Sequence, residues 1–400
     1  MKRIPILVIL TLITFSAGAQ KTLKQEWQTI WDEEGVPAYT LPDPLLCLDG
    51  TKVTTLREWE KKRRPELMNI LRTYMYGHRP KIGKALPARV DEVDANYLNG
   101  KVTRKVLTVP LTADKNGPIM HARVYLPNGA EERVPVFLMM AWGDEADQKA
   151  LSRLIDAGYG MAVFRYTESA PDNVEAYEKG LIPYFYKKGQ TLPMPDDWAT
   201  IDVWAYAASR VMDYLEKDKA VRSDQVAVLG HSRLGKAALW AGASDERFAI
   251  TFPVNSGCGG TAISRRVLGE TLFNANVAFP HWFCGNFQQF SLRERYMPFD
   301  QHEVVALCAP RAVYIASGET DTWADPKGEF LGGKGAEAVY ALYGKKGIAD
   351  ERGAVSSMPA LDHACMQGQI AYHIRTGGHA VLDYDWERFI EYANLIFNRK

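Results

Sequence analysis

The sequence predicts an α/β architecture, a mostly parallel central sheet covered by helices on both faces, and three observations carry that expectation. From Val134 onward, short apolar runs alternate with segments of helical period, the pattern of parallel strands joined by crossover helices. One such junction, Val226 to Lys236, passes from an apolar strand through Gly230 and Ser232 straight into a helix opening with small residues. The chain has 400 residues, 46% of them apolar and 24% charged, enough for one large core with long loops.

Charge and composition exclude several classes. Lys and Arg number 48 against 48 Asp and Glu, so no net field favours nucleic acid or an anionic membrane. A basic pair, Lys2 and Arg3, precedes an apolar run from Ile4 to Phe15 and the small residues Ser16 to Ala19. This reads as an export leader cleaved before Gln20. A membrane anchor would need about 20 apolar residues. The expected division is therefore a leader over 1–19 and a single catalytic domain over 20–400, secreted or periplasmic and free of the membrane after cleavage. The five cysteines, Cys47, Cys258, Cys284, Cys308 and Cys365, are odd in number and widely spaced, which predicts mostly buried free thiols and no zinc site.

The elements follow in order. Leu56 to Tyr76 places Trp59, Leu67, Ile70, Leu71 and Tyr74 at roughly helical spacing and stops at Gly77, an amphipathic helix packed on the main domain. Lys101 to Leu111 and His121 to Leu126, set off by Asn99-Gly100 and Asn116-Gly117, read as antiparallel strands at a sheet edge. Strands are then expected at 134–141, 160–166, 225–230, 248–254, 311–317 and 370–375. Helices are expected at 148–157, 198–216, after Ser232, and at 336–343 and 386–398. The segments 167–197 and 255–302 read as long loops.

The strand-to-helix junction carries the chemistry. A tight turn there lifts a serine hydroxyl above the sheet, and small neighbours permit the sharp backbone. The second glycine, Gly235, stands one place later than in Gly-x-Ser-x-Gly, and Arg233 follows the serine directly. The plainer role for Ser232 is a helix cap. A nucleophilic serine needs an acid and then a histidine downstream. Of His281, His302, His363, His373 and His379, the last follows Gly377-Gly378 in a loop after the final strand, where such a sheet delivers its base. His373 lies within that strand and reads as a core histidine. Asp321 follows the strand 311–317 and is the best-placed acid; Glu319 and Asp325 remain alternatives.

The motifs GHSRLGK (230–236), NSGCGG (255–260), SRRVLGE (264–270), FPHWFC (279–284), DTWADPKGEF (321–330) and IRTGGH (374–379) together resemble the bacterial branch of the glucuronoyl esterases, carbohydrate esterase family 15. The resemblance runs from about Trp59 to the C-terminus and implies an α/β-hydrolase fold. It further implies Ser232 as nucleophile, His379 as base, Arg233 as oxyanion donor through its backbone N–H and guanidinium, Lys236 and Glu270 as partners of uronic-acid hydroxyls, and Trp323 as a wall of the sugar site. Three departures stand out. Asn255 occupies a position where many members carry the triad acid as Glu, while other bacterial members place the acid after the following strand, as at Asp321. His231 stands where fungal members have a disulfide cysteine. The loop Met140 to Asp144 lacks the Asn-Phe-x-Gly-Asn pattern of bacterial relatives.

The function these implications lead to is a cofactor-free and metal-free serine esterase acting on glucuronic acid esters, as in glucuronoxylan–lignin links. Its partner is a carbohydrate substrate, not nucleic acid, and the protein is expected as a monomer. The alternatives are a deacetylase of acetylated xylan and a carbohydrate-binding protein on a retired hydrolase scaffold.

Overall fold

The chain places nine strands in one sheet, as seen in a computed structural model that describes residues 29–399; the expected leader lies outside the described residues. The strands are β1 (Arg89–Asn96), β2 (Val102–Pro110), β3 (Ile119–Pro127), β4 (Val134–Ala141), β5 (Gly160–Arg165), β6 (Val221–His231), β7 (Ile250–Val254), β8 (Ala312–Gly318) and, after a separate short pair β9 (Ala349–Asp350) and β10 (Gly353–Ala354), β11 (Ile370–Arg375). Their order is β1-β2-β3-β5-β4-β6-β7-β8-β11. β2 and β3 are antiparallel, as expected, an unanticipated β1 adds antiparallel to β2 at the edge, and β3 joins β5 antiparallel. From β5 to β11 every pairing is parallel.

The eight main helices are α1 (Arg64–Leu71), α2 (Gln148–Asp156), α3 (Thr200–Leu215), α4 (Arg233–Ser244), α5 (Leu272–Ala278), α6 (Gln301–Leu307), α7 (Pro326–Leu342) and α8 (Asp383–Phe397). Alternate strand residues face opposite layers. Val136, Leu138, Val228 and Ile315 join one apolar cluster with residues of α3, α4, α6 and α7. Phe137, Leu229, Phe252 and Tyr314 join another with Leu151 and Leu154 of α2 and Trp386 and Phe389 of α8. Burial on both faces explains why β4 reads as an unbroken apolar run rather than an alternation.

The N-terminal helical extension forms where expected. Thr55 and Glu58 make a reciprocal capping box, and the helical path continues through π segments at Trp59–Arg63 and Arg72–Tyr76. It ends at Gly77, whose φ of 83° suits glycine and whose Cβ, if present, would lie 2.2 Å from the Asp197 carbonyl oxygen. Tyr76 stacks on Trp240 of α4 with ring centroids 3.8 Å apart, so the extension covers the helix that follows Ser232.

Two expectations are corrected. The segment 255–302 does not stay irregular: α5 lies inside it, with Thr271 and Asn274 as its capping box, and α6 follows from Gln301, with Asp300 and Glu303 as its own. Helix α7 begins at Pro326 rather than Ala336. Gly328, Gly332, Gly333 and Gly335 hide its first turns because glycine disfavours helices, yet packing requires them. A Cβ on Gly332 would sit 1.9 Å from the Thr261 carbonyl oxygen, and one on Gly335 2.6 Å from His302 Cβ. All five cysteines are free and buried, as expected. No helix among the described residues is long and apolar enough to cross a membrane.

A Cβ on Gly230 would lie 1.9 Å from the Leu234 carbonyl oxygen, whereas one on Gly143 meets nothing within 4 Å. Gly230→Ala is therefore expected to lower unfolding free energy by about 1–3 kcal/mol or more, and Gly143→Ala to stay within about 0.5 kcal/mol, as read from urea denaturation midpoints. Equal midpoints for the two variants would contradict the steric account of this turn.

Candidate active site

The carboxyl ends of four adjacent parallel strands deliver the candidate residues: β6 leads to Ser232, β7 to Asn255, β8 to Asp321 and β11 to His379. Ligand sites in open α/β sheets form at such ends. Ser232 adopts φ 62° and ψ −129°, a conformation strained for a non-glycine residue. Hydrogen bonds hold it there, from Ser232 N–H to the Val254 carbonyl (2.9 Å) and from Gly235 N–H to the Ser232 carbonyl (2.8 Å). The shifted glycine has a reason: a Cβ on Gly235 would press on the Val254 carbonyl oxygen and Ser256 Cβ, each at 3.0 Å. Ser232 makes no side-chain cap bond to α4, so the plainer capping role falls away.

His379 Nδ1 lies 2.7 Å from Asp321 Oδ2, and the same oxygen accepts from Asn255 Nδ2 at 2.9 Å. With Nδ1 so engaged, Nε2 is the ring atom left to face a reacting group. The His379 ring also rests against His231, centroids 4.5 Å apart, beside the serine. The two rival acids serve elsewhere. Asp325 caps α7 and pairs with Arg266 (2.7 Å), and Glu319 is exposed. The other histidines are engaged too: His281 with Asp172, His302 with the Pro42 carbonyl, and His373 with Tyr314 and Asp385 in the core. His363 stands 3.6 Å from Asp350.

Behind the acid lies a second, fully buried carboxylate. Glu329 accepts from Ser256 N–H, Gly257 N–H, Thr261 Oγ1 and Ser317 Oγ at 2.6–3.1 Å, tying the turn after β7 to β8. Burial, aided by the negative charge of Asp321, pushes its pKa up to about 7 against these hydrogen bonds.

Arg233 opens α4, where the first N–H groups lack intrahelical acceptors. Its guanidinium donates from Nη1 to Asp172 Oδ2 at 2.6 Å and lies 4.9–5.3 Å from the ring centroids of Trp142, Phe279 and Trp282. Its Nε is buried without a hydrogen-bond partner among the described residues. Asp172 also accepts from Tyr166 Oη and Trp282 Nε1 and pairs with His281 Nε2 (2.8–2.9 Å). Burial alone would raise its pKa, but these bonds and the Arg233 charge outweigh burial and hold the carboxyl well below the usual range. Sequence reasoning missed Asp172, Trp142 and Trp282 as members of the site. Asp172 comes from the long loop after β5, where nothing in the spacing points to Arg233.

Lys236 and Glu270 are both buried and pair at 2.9 Å. Lys236 Nζ also donates to the carbonyls of Ser256 (2.7 Å) and Cys258 (2.6 Å), so all three of its protons are engaged. Glu270 N–H donates to the Trp323 carbonyl at 2.8 Å. This closure needs Gly269, whose Cβ would come within 2.5 Å of the Thr322 and Trp323 carbonyl oxygens. The Trp323 side chain is 40% exposed beside Glu270.

The fungal glucuronyl esterase family model matches residues 109–344. A carbohydrate esterase, MZ0003, from an unknown prokaryotic organism is 40% identical over 91% of this chain and 91% of its own. The chain belongs to the glucuronoyl esterase family. A 4-O-methyl-glucuronoyl methylesterase of Phanerochaete carnosa is 29% identical over 79% of the chain and 74% of its own length. The solved glucuronoyl esterase from Solibacter usitatus superposes with a TM-score of 0.85 at 41% identity, covering 91% of this chain and all of that one. The α/β-hydrolase expectation is thereby met. Within the glucuronoyl esterase family frame, the Asn255 departure is accommodated: the amide donates to Asp321 instead of supplying the charge itself.

Burial and the neighbouring His379 lower the His231 pKa to about 4, below the ordinary value of about 6.5. As pH falls through that interval the unfolded chain takes up this proton before the folded one does, so stability drops with falling pH. Glu329 acts in the opposite sense, losing stabilisation as pH rises toward about 7, and cancels when two proteins sharing it are compared. The stability advantage of the wild type over His231→Gln should therefore shrink between about pH 6.5 and about pH 4 in denaturation midpoints. A pH-independent difference would mean that His231 is not held neutral.

Proposed function

We propose that the chain is an exported serine esterase, with one catalytic domain over 20–400, that hydrolyses esters of (4-O-methyl-)glucuronic acid such as those joining glucuronoxylan to lignin. The observation that carries this reading is the Asp321–His379 pair, 2.7 Å apart and in ring contact with the residue before Ser232. The export leader rests on residues 2–19 of the sequence.

Ser232 Oγ attacks the C6 carbonyl carbon while His379 Nε2 takes its proton, and Asp321 steadies the resulting imidazolium. Charge then develops on the carbonyl oxygen. The Arg233 backbone N–H and the unpartnered Nε–H are the donors offered to it, and Asp172 with its aromatic surround keeps the guanidinium from swinging away. Collapse expels the alcohol with the proton from His379, and water, activated by the same nitrogen, hydrolyses the glucuronoyl ester of Ser232. On the acyl side, Glu270 receives sugar hydroxyls and Trp323 flanks the ring. Lys236 holds Glu270 and reaches a hydroxyl itself only by releasing one of its carbonyls. No step calls for a metal or cofactor.

Ser232→Ala should lower kcat on benzyl glucuronate by about 10⁴-fold or more without changing the denaturation midpoint, since triad members act as a unit. Asp321→Asn should lose about 10²- to 10⁴-fold and Asn255→Ala far less. The reverse order would move the acid role away from Asp321.

Glu270→Ala separates this function from deacetylation. An unpaired polar group costs about 1–3 kcal/mol, roughly ten- to a hundredfold per contact, so kcat/KM for benzyl glucuronate should fall by that factor while p-nitrophenyl acetate is hydrolysed nearly as before. Equal losses on both esters, or faster turnover of acetylated xylose than of the uronate ester by the wild type, would favour the deacetylase reading.

A further inference from the structure

Two exposed indoles lean on one another at the sugar side of the site. Trp31 is 54% and Trp323 40% exposed, their centroids 5.7 Å apart and their planes tilted by 34°. Large aromatic groups left in water next to each other mark an interaction site more often than they arise by chance.

Trp31 is also held in place. Ile30 bridges Leu268, and its carbonyl accepts from Gly269 N–H at 2.9 Å. Asp32 accepts from Gly35 N–H at 3.1 Å, closing a short turn. Glu33 in that turn pairs with Arg266 and, at 2.6 Å, with Lys327. Arg266 is itself buried and bound to Asp325, the cap of α7. An exposed ring thus sits on a segment tied through exposed Glu33 to the buried Arg266–Asp325 pair, an arrangement that preorganises a contact surface.

We propose that Trp31, packed against the Trp323 that flanks the uronate, extends it into an aromatic platform that seats the next pyranose, so that the site reads the polysaccharide carrying the ester. This rests on the glucuronate esterase reading above. A sugar is favoured over the aromatic alcohol by position. The Trp31 segment is bonded to 266–269, contiguous with Glu270 and Trp323 on the acyl side, whereas the rings around Arg233 are Trp142, Phe279 and Trp282. The open face of an indole matches the apolar C–H face of a pyranose.

The test compares three esters in wild type, Trp31→Ala and Trp31→Phe: methyl glucuronate, benzyl glucuronate, and the methyl ester of a glucuronoxylo-oligosaccharide. Trp31→Ala should lower the ratio of kcat/KM for the oligosaccharide ester over methyl glucuronate by roughly three- to tenfold, chiefly through KM, and Trp31→Phe should restore most of it. An unchanged ratio would overturn the proposal, whether both substrates lose activity equally or neither does. A loss confined to benzyl over methyl glucuronate would assign the platform to the aromatic alcohol and also overturn it. Calorimetric binding of the unesterified oligosaccharide to Ser232→Ala, with and without Trp31→Ala, judges the platform independently of turnover. Failure of the wild type to cleave any uronate ester would instead fall on the esterase reading.

Discussion

One carboxylate holds the site together. Asp321 is buried, and a buried charge persists only when paired and hydrogen-bonded. Its Oδ2 binds both His379 and Asn255, so the ends of β7, β8 and β11 are joined through a single oxygen. The pairing also fixes which nitrogen of His379 is free, and the ring contact with His231 sets His379 beside the residue that precedes Ser232. Loss of this carboxylate would free the base and leave Asn255 aimed at nothing.

The same logic recurs in the surrounding shell. Asp172, Glu329 and Asp325 are buried or largely buried carboxylates, each satisfied by several donors, and each secures one wall: the guanidinium of Arg233, the turn that carries Asn255, and the start of α7 with its link to the Trp31 segment. In a protein without net charge, the charges that matter are these local, desolvated ones. They also give the site opposing pH responses, since His231 resists protonation while Glu329 resists ionisation.

What the sequence disclosed follows from how local each signal is. The elbow was readable because strand, Gly230, Ser232 and helix are contiguous, and Asp321 and His379 because a loop directly after a strand must emerge at the sheet's carboxyl end. Helix α7 was half hidden because the glycines that let it pack on Thr261 and His302 also erase its helical signature. Asp172 was invisible because its meaning depends on four partners, three of them from two distant segments. Trp323 drew notice only through the resemblance, and Trp31 not at all, since an isolated Trp in a polar lead has no pattern. The intramolecular partners of Lys236 were hidden for a similar reason: the two carbonyls that engage it belong to the turn after β7, and no spacing foretells them.

The central claim is that Ser232 takes the glucuronoyl group itself, with the sugar on the acyl side of the cleaved bond. Rapid quenching of the enzyme with a glucuronate ester, followed by mass spectrometry of the peptides, tests it most directly. The account predicts a glucuronoyl adduct on the peptide containing Ser232, its formation slowed when Asp321 is replaced by Asn. A glucuronoyl adduct on any other residue, or an acetyl adduct from acetylated xylose where the uronate ester leaves none, would contradict it.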